Sequence, residues 1–506
     1  MNIGNRTLNP DILGSIFNIH LPGVGDVVSR RKLTELCLVS KEWRDAAILN
    51  SRLWSKVKLE IRTKSQSFSS KKTLAWIKRS RGYPKTLEVA ISCYGKDDYD
   101  SCPSDSCSAT NLGLIEFMLY VPALQHLSIE VKSAQCFKNL CASMKHQSEQ
   151  ASLSPARSLD SPVFPVNTLA LKVVQFNSED HASSSRNGFV FDMLPPVSNV
   201  RLELPRIKET LSYTRHPDET ACSPGKLFPP KILQQLTCLS LRSHYNLAKI
   251  APLLKECSNL EDLSLFYCSK YHYARPRSTD NETIALPKVR VLRLKNIVKD
   301  TMNILGVLQL KVLSHFELSC GKASSRTENP EVLDDPTLLK TFIQSHANTL
   351  RYLRIHNLTI DGPVLQAILP ASLGVLEHLV LDRVGFKVDV FQHWMDTPPT
   401  EEEGGKWFPN LKTLELHDLD TDYDMGTLFS FLRARRPYRV ESGQDGQNEV
   451  IFLGPPDSIQ RLVVTFRLPS LKRGERQAHS EEVEKAVRIL ERGGVVVELG
   501  SKYLKR

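Results

Sequence analysis

A short apolar pattern that recurs along most of the chain constrains the fold more strongly than any other feature. The pattern is apolar-x-x-apolar-x-apolar, and its last two apolar positions alternate with period two, as a short strand with one buried face requires. The copies are Leu124–Leu127–Ile129, Val166–Leu169–Leu171, Val197–Val200–Leu202, Leu236–Leu239–Leu241, Leu260–Leu263–Leu265, Val289–Leu292–Leu294, Leu313–Phe316–Leu318, Leu350–Leu353–Ile355, Leu376–Leu379–Leu381, Leu411–Leu414–Leu416 and Ile459–Leu462–Val464. Pro84, Leu87 and Val89 form a first copy with a degenerate opening position.

Segments with helical periodicity lie between the copies. They are residues 247–259, 336–349, 388–397 and 424–435. Strand and helix repeated in one direction predict parallel strands joined by right-handed crossovers. Because no single unit can bury its own apolar face, the units are expected to stack on one another.

The spacing of the copies resembles the leucine-rich-repeat superfamily over residues 84–466. From Leu236 to Leu411 successive copies begin 24 to 37 residues apart, whereas leucine-rich repeats run to about 20–29 residues. The chain therefore departs from that family in its irregular lengths, and it lacks a strict Asn after the strand. The competing interpretation is a set of unrelated amphipathic strands in an α/β enzyme.

Several segments between the copies have the composition of loops. They are rich in Ser, Asp, Gly and Pro and cover residues 95–110, 145–163, 178–188, 322–336 and 440–450. Such segments bury too little apolar surface to order by themselves, so they are predicted to be insertions in the array.

The first sixty residues differ in kind and predict three short helices. Pro10 and Asp11 suit a first helical turn, where a missing N–H and a negative charge are both favourable. Ser40 is a good N-cap for a helix that carries Trp43. A core of this size is marginal, so support from a neighbouring element or a partner is expected.

These residues resemble the F-box module. The opening Leu8-Asn9-Pro10-Asp11-Ile12-Leu13, the stretch from Leu38 to Ala47 and the closing Leu53-Trp54 carry the resemblance, which covers about residues 6–56. Asn9 stands where the family often has a first proline. The following segment, 71–91, looks like the helix-then-strand entry of fungal F-box proteins that carry leucine-rich-repeat-like arrays.

Together these patterns predict an α/β fold with a small three-helix F-box followed by an irregular leucine-rich-repeat-like solenoid, with parallel strands and with helices on the convex side. The predicted domains are the F-box at 6–56, a linking helix at 57–83, and the array at 84–506. Residues 480–499 are predicted to close the array as a C-terminal cap made of a helix and a strand.

The resemblance implies a role in protein ubiquitination. F-box modules dock on the Skp-type adaptor of a cullin-based ubiquitin ligase, and the repeat array recruits the protein substrate. The implied adaptor-binding positions are Leu8, Pro10, Ile12, Leu13, Leu36, Val39 and Trp43. Such adaptors are acidic, and residues 1–80 carry 15 Lys and Arg against 6 Asp and Glu.

The residues between the repeated apolar positions should face away from the core because side chains alternate along a strand. This face offers Arg and Tyr as anchors and carries both signs of charge, which suits a protein ligand better than a phosphate backbone. The predicted substrate-binding residues are Arg293, Tyr352, Arg354, His378 and Glu415.

No catalytic, cofactor-binding or metal-binding motif is recognisable, and no catalytic residue is predicted. The Cys102/Cys107 and Cys136/Cys141 pairs lack nearby histidines, so they are not predicted to bind zinc. Cysteines without any C-x-x-C favour a reducing compartment, the cytoplasm or the nucleus. No apolar run approaches the ~18 residues of a membrane span, so no membrane partner is expected.

The sequence therefore predicts a non-enzymatic substrate receptor of a Skp-cullin-F-box ubiquitin ligase. One alternative is a repeat scaffold whose F-box-like module acts without ubiquitin. Another is a basic α/β protein associated with nucleic acid, although the positive charge is not focused on one face as such binding requires.

Overall fold

The computed structural model divides the chain into two compact units, residues 1–260 and 261–506. The structure describes residues 9–21, 27–93, 107–152, 166–175, 197–204, 228–243, 247–267, 283–298, 301–321, 331–332, 336–360, 362–370, 373–386, 390–396, 407–419, 423–442, 448–454, 457–466 and 481–500. No helix among these residues is long and apolar enough to cross a membrane.

The first unit begins with three helices, and their start points follow from capping. They are α1 (Pro10–His20), α2 (Val27–Cys37) and α3 (Lys41–Leu49). The Asn9 side chain accepts a hydrogen bond from the Asp11 amide at 2.9 Å. The Ser40 hydroxyl accepts one from the Trp43 amide at 3.3 Å. Each cap satisfies an amide that has no partner inside its helix.

The three helices enclose a small core that a neighbouring element completes. The buried side chains of this core are Leu13, Phe17, Leu21, Leu33, Ala46, Ala47, Leu53 and Trp54. Trp54 packs edge-on against Trp76 of the next helix, with ring centroids 4.5 Å apart. The Arg30 guanidinium also donates to the Lys58 carbonyl oxygen at 3.1 Å. The expected support for the helices thus comes from the adjoining strand and helix of the same unit.

The rest of the first unit alternates strands with helices. Its strands are β1 (Lys56–Ile61), β2 (Thr86–Ile91), β3 (Leu124–Ser133), β4 (Val166–Gln175), β5 (Asn199–Glu203) and β6 (Cys238–Ser243). Its remaining helices are α4 (Ser70–Lys78), α5 (Leu112–Tyr120), α6 (Ala134–Ser152), α7 (Pro230–Leu233) and α8 (Leu247–Lys255). Strands β1 to β6 pair in sequence order, and every pair is parallel.

Strand β1 begins at Lys56, the last residue of the predicted F-box, and continues into the segment 57–83, for which the sequence predicted only a linking helix. That helix exists as α4, but β1 precedes it and pairs in register with β2, with Val57 opposite Leu87. Trp54, Val57 and Leu59 have the spacing of the repeated pattern. Sequence analysis missed this copy because Trp54 was assigned to the end of the helical module. Its ring is buried in the core of the three helices and also packs against Trp76 of α4.

The second unit repeats the same alternation. Its strands are β7 (Asp262–Tyr267), β8 (Ile284–Ala285), β9 (Val291–Ile297), β10 (Leu308–Gln309), β11 (His315–Cys320), β12 (Glu331–Val332), β13 (Tyr352–Ile360), β14 (His378–Phe386), β15 (Thr413–Leu419), β16 (Tyr438–Ser442), β17 (Asn448–Phe452), β18 (Arg461–Phe466) and β19 (Val496–Leu499). Its helices are α9 (Ile304–Val307), α10 (Thr337–Ser345), α11 (Gly362–Ile368), α12 (Val390–Asp396), α13 (Met425–Arg435) and α14 (Glu481–Arg492).

Parallel pairing orders the main sheet of this unit as β7-β9-β11-β13-β14-β15-β18-β19. The apolar positions of the pattern are aligned across the strands, so that Phe316 lies opposite Leu292 on one side and Leu353 on the other. Each helix from α9 to α14 contacts the next. The prediction of an α/β fold with parallel strands is confirmed, and the closing helix and strand predicted at 480–499 are present as α14 and β19.

Four strands of the second unit contain a left-handed residue that the sequence did not reveal. It lies two positions after the last apolar residue of the pattern, with φ of 58° at Asn296 and Asn357, 54° at Arg383 and 52° at Asp418. Asn and Asp tolerate this conformation better than other non-glycine residues. The Asn357 amide donates to the Cys320 carbonyl oxygen at 3.0 Å and thereby ties β13 to β11.

Some segments predicted to be loop insertions contain regular structure. Residues 145–152 form the end of α6, and residues 331–332 form β12. Residues 440–442 and 448–450 belong to the antiparallel pair β16–β17. Composition alone did not reveal these elements. The predicted insertion at 178–188 lies outside the described residues.

A buried ion pair stabilises the end of the second unit. The Arg435 guanidinium contacts Asp457 through two hydrogen bonds of 2.7 and 2.9 Å, and both side chains are at least nine-tenths buried. It also donates to the carbonyl oxygens of Trp407 and Phe408. Arg435 thus joins α13 to the segments that precede β15 and β18.

We expect Asp457→Ala to destabilise the protein by about 3–5 kcal/mol, because it leaves the Arg435 charge buried without its counter-ion. Urea unfolding monitored by circular dichroism measures this loss. The control is Glu441→Ala, which removes an exposed ion pair with Arg439 and should cost at most about 1 kcal/mol. Equal unfolding midpoints for the two variants would contradict the structural role of Arg435.

Candidate functional site

All five predicted substrate-binding residues lie on one face of the second unit's sheet. Arg293, Arg354 and Glu415 occupy one row of the strand register, through the pairs Arg293–Glu317, Glu317–Arg354, Arg354–Val380 and Val380–Glu415. Tyr352 and His378 are opposite each other in the neighbouring row. Because strands lie about 4.8 Å apart, these rows bring together side chains that are more than 100 residues apart in the sequence.

Three aromatic rings follow one another along one row of this face. The rings of His315 and Tyr352 are stacked, with centroids 4.0 Å apart and planes 3° apart. The Tyr352 and His378 rings follow at 6.1 Å. We call His315, Tyr352 and His378 the ring row. All three side chains are partly exposed, so flat apolar surface with polar edges is accessible from outside.

Arg293 does not have the exposed, unengaged side chain that the sequence analysis predicted for it. Its guanidinium donates two hydrogen bonds of 2.8 Å to the carboxylate of Asp262 and one of 3.2 Å to Glu317. Only 28% of its side chain is exposed. Charge reversal at Arg293 would therefore disrupt the face itself.

Arg354 and Glu415 are also paired within the face. Arg354 donates to Asp382 at 2.6 Å. Glu415 accepts from His417 at 2.9 Å and lies 3.6 Å from the Arg461 guanidinium. Charges of both signs are therefore held in fixed pairs around the ring row.

Glu317 is the electrostatic centre of the face. It accepts a hydrogen bond of 2.8 Å from His315 Nε2, which must carry a proton because a carboxylate only accepts. This bond and the charges of His315 and Arg293 outweigh the effect of burial and lower the pKa of Glu317 to about 2. Burial is the main reason that the pKa of Tyr352 is raised, and the carboxylate of Glu317 adds to the effect.

The important residues that the predicted set left out are His315, Glu317 and Asp382. His315 and Glu317 occupy the outward positions of their copy, and Asp382 continues the alternation beyond the end of its pattern. Strand alternation identifies His315 and Glu317 as face residues, and extending it by one step beyond the pattern adds Asp382. Their pairing with Tyr352, Arg293 and Arg354 depends on the register between strands, which the sequence does not state.

The predicted adaptor-binding residues separate into exposed and buried positions. Ile12 is 51% exposed and Val39 is 62% exposed, whereas Leu13 is only 1% exposed. Leu36 and Trp43 are partly buried against the core of the three helices. Leu13 lies on the inward side of α1, in the core of the three helices, whereas Ile12 lies on its outward side. Leu8 and the side chain of Pro10 lie outside the described part of the chain.

The segment from α1 to α3, including the turn between α2 and α3, exposes several large apolar side chains. They are Ile12, Ile19, Val28, Leu38, Val39 and Leu49. A well-packed helical module normally keeps such residues in its core, and exposed apolar residues concentrated in one region are typical of protein-binding surfaces.

Comparisons with known proteins add no identification. No protein-family model matches this chain, and no curated protein matches it. The functional argument therefore depends on the geometry of the described residues.

We expect Glu317→Gln to remove a pH-dependent contribution to stability. The unfolded chain protonates Glu317 near its ordinary pKa of 4.5, whereas the folded protein keeps it ionised until about pH 2. The stabilisation, about 1–2 kcal/mol after solvent screening, is therefore present above about pH 5 and is lost as the pH falls towards 2.

Urea unfolding at a series of pH values from 7 to about 3 measures this difference between wild type and Glu317→Gln. Glu130→Gln, which removes a half-exposed ion pair with Lys172 in the first unit, controls for the loss of a carboxylate. A wild-type advantage that stays constant over the whole pH range would contradict the assignment.

Proposed function

We propose that this chain is the substrate-recognition subunit of a Skp-cullin-F-box ubiquitin ligase. In this proposal α1–α3 form an F-box that binds the Skp-type adaptor. The strands and helices that follow form a leucine-rich-repeat-like solenoid, with its helices on the convex side, that binds the protein to be ubiquitinated. The chain itself carries out no chemical step, and it acts in the cytoplasm, the nucleus or both.

The exposed apolar residues of α1–α3 are the observation that carries the proposal. Contact between these apolar side chains and water is unfavourable. They are not part of the core of the three helices, so this cost is not offset by packing within the module. An apolar partner surface removes that cost. Ile12 and Val39 are both exposed and both occupy positions that the F-box resemblance assigns to the adaptor interface.

The charge of the same region supports an acidic partner. Residues 1–80 hold a large excess of Lys and Arg. Long-range attraction of this kind accelerates association and aligns the partners, whereas the apolar contacts supply most of the affinity. A surface with both features suits an adaptor that is acidic overall and has an apolar groove.

The composition of the exposed sheet face supports a recruiting surface on the second unit. The face around the ring row combines Tyr and His rings with paired charges, and aromatic residues are the most frequent anchors of protein interfaces. Because the ion pairs are already satisfied within the face, a ligand would gain most from contact with the rings.

We expect the double substitution Ile12→Asp, Val39→Asp to abolish binding of a purified Skp-type adaptor, because two charges would be buried in an apolar interface. The full-length protein should remain folded, since both side chains point outward. Binding is measured by calorimetry or by co-purification, with circular dichroism as the folding check.

Leu112→Asp is the matched control, because Leu112 is an equally exposed leucine on α5, outside the three helices. It should bind the adaptor as the wild type does. Undiminished binding by the Ile12/Val39 variant would exclude this surface. Failure of the wild type to bind any Skp-type adaptor would favour a repeat scaffold that acts without ubiquitin.

We expect Tyr352→Ala, His378→Ala to weaken substrate binding at least about tenfold while adaptor binding is retained, because interface rings carry a disproportionate share of the affinity. The readout is the set of proteins whose ubiquitination depends on the wild-type chain in cells. Gln344→Ala, an exposed position on α10, is the control. Unchanged ubiquitination in the ring variant would place the substrate elsewhere.

A further inference from the structure

Three cysteine side chains meet in the first unit, far from each other in the sequence. Cys93 follows the end of β2, Cys107 immediately precedes the 3₁₀ turn Ser108–Thr110, and Cys136 lies in the first turn of α6. All three are buried, and their sulfur atoms lie within 4.8 Å of one another. None of them forms a disulfide.

The distances between the sulfur atoms match those of a metal–thiolate site. Cys93 Sγ lies 3.7 Å from Cys107 Sγ and 3.6 Å from Cys136 Sγ. Two thiolates bound to the same tetrahedral Zn²⁺ at about 2.3 Å are about 3.8 Å apart. The arrangement therefore needs only a small adjustment to admit the ion, and it supplies three of the four ligands of a tetrahedral site.

The surroundings favour negative charge on the sulfur atoms. Cys136 Sγ accepts a hydrogen bond of 3.2 Å from the Ser133 hydroxyl, which also accepts from the Cys136 amide. The amide dipoles at the start of α6 point towards this position. The Lys132 ammonium group donates to the Cys93 carbonyl oxygen at 3.2 Å and places a positive charge beside the cluster.

The backbone segments that carry the cysteines are held in place by other bonds. The Ser108 hydroxyl lies 2.9 Å from the Arg62 carbonyl oxygen and 3.0 Å from that of Ser92. Strands β2 and β3 pair in register as far as Ile91 and Val131, just before the cysteines. The ligands are therefore preorganised at the carboxyl ends of adjacent parallel strands.

We infer that Cys93, Cys107 and Cys136 bind one Zn²⁺ ion as thiolates. Binding breaks three S–H bonds, forms three Zn–S bonds and releases three protons to solvent, with no change in oxidation state. The charge of the three thiolates exceeds that of the ion by one, and Lys132 offsets the difference. The ion would cross-link β2, the segment that begins at Cys107, and α6, and so stabilise this end of the sheet.

This site was not predicted because the cysteines were paired by sequence proximity. Cys107 was grouped with Cys102 and Cys136 with Cys141, and neither pair has nearby histidines. The structure instead joins one member of each pair with Cys93. Cys102 lies outside the described residues. Cys141 lies further along α6 and is not part of the three-sulfur cluster.

Zinc content and cobalt spectroscopy test the proposal on the full-length wild-type protein. Protein purified without chelator should hold one zinc ion per chain by elemental mass spectrometry. After removal of the zinc, titration with Co²⁺ should produce thiolate-to-cobalt charge-transfer absorption that saturates at one equivalent and that Zn²⁺ abolishes. Absence of both signals would overturn the proposal without any variant.

Alanine substitutions then identify the ligands. Cys93→Ala, Cys107→Ala and Cys136→Ala should each lose the charge-transfer absorption, whereas Cys141→Ala, a buried cysteine on the same helix, should retain it. Thermal unfolding checks that each variant is folded, and chelator should lower the unfolding midpoint of the wild type and of Cys141→Ala only. Retention of cobalt absorption by the three cluster variants, or a disulfide between Cys93 and either partner in peptide mapping of the protein as purified, would refute the site.

Discussion

Parallel pairing in a fixed register is the constraint on which the structure depends. A strand of this chain has one apolar face that it cannot bury alone, so each strand needs a neighbour on the sheet and a helix beneath it. In the second unit the register aligns Leu292, Phe316, Leu353, Leu379 and Leu414 across five adjacent strands. A slip of one residue would move every one of these side chains to the outer face. The same register therefore fixes the rows of outward residues.

The rows explain why the outer face of the second unit is ordered rather than merely polar. Outward side chains of adjacent strands lie within hydrogen-bonding reach, so Arg293, Glu317, Arg354 and Asp382 pair across strands. Each of these charges therefore already has a partner of opposite sign within the face. The stacked rings of His315 and Tyr352 remain as an accessible surface between them.

The first unit presents a different kind of surface. Its three N-terminal helices have a compact core and expose apolar side chains outside it, and α4 shares the core through the contact between Trp54 and Trp76. The same unit holds the cluster of three cysteines at the ends of β2 and β3. Anchoring of the helices to the first strands, and cross-linking of the strand ends by the proposed metal, would both make this region rigid.

The sequence by itself determined the kind of fold and the identity of the core. The repeated apolar pattern specified where most strands of the main sheet lie and which of their side chains face inward, because strand alternation and helical periodicity are local properties of the chain. It also identified the capped helices at the N-terminus and the outward positions, Tyr352 and Arg354 among them. Only the tertiary structure decided which outward residues meet, which of Ile12 and Leu13 is exposed, that Arg383 adopts a left-handed conformation, and that Cys93 joins Cys107 and Cys136. These outcomes depend on register and on helix rotation, and both are set by contacts between segments that are distant in the sequence.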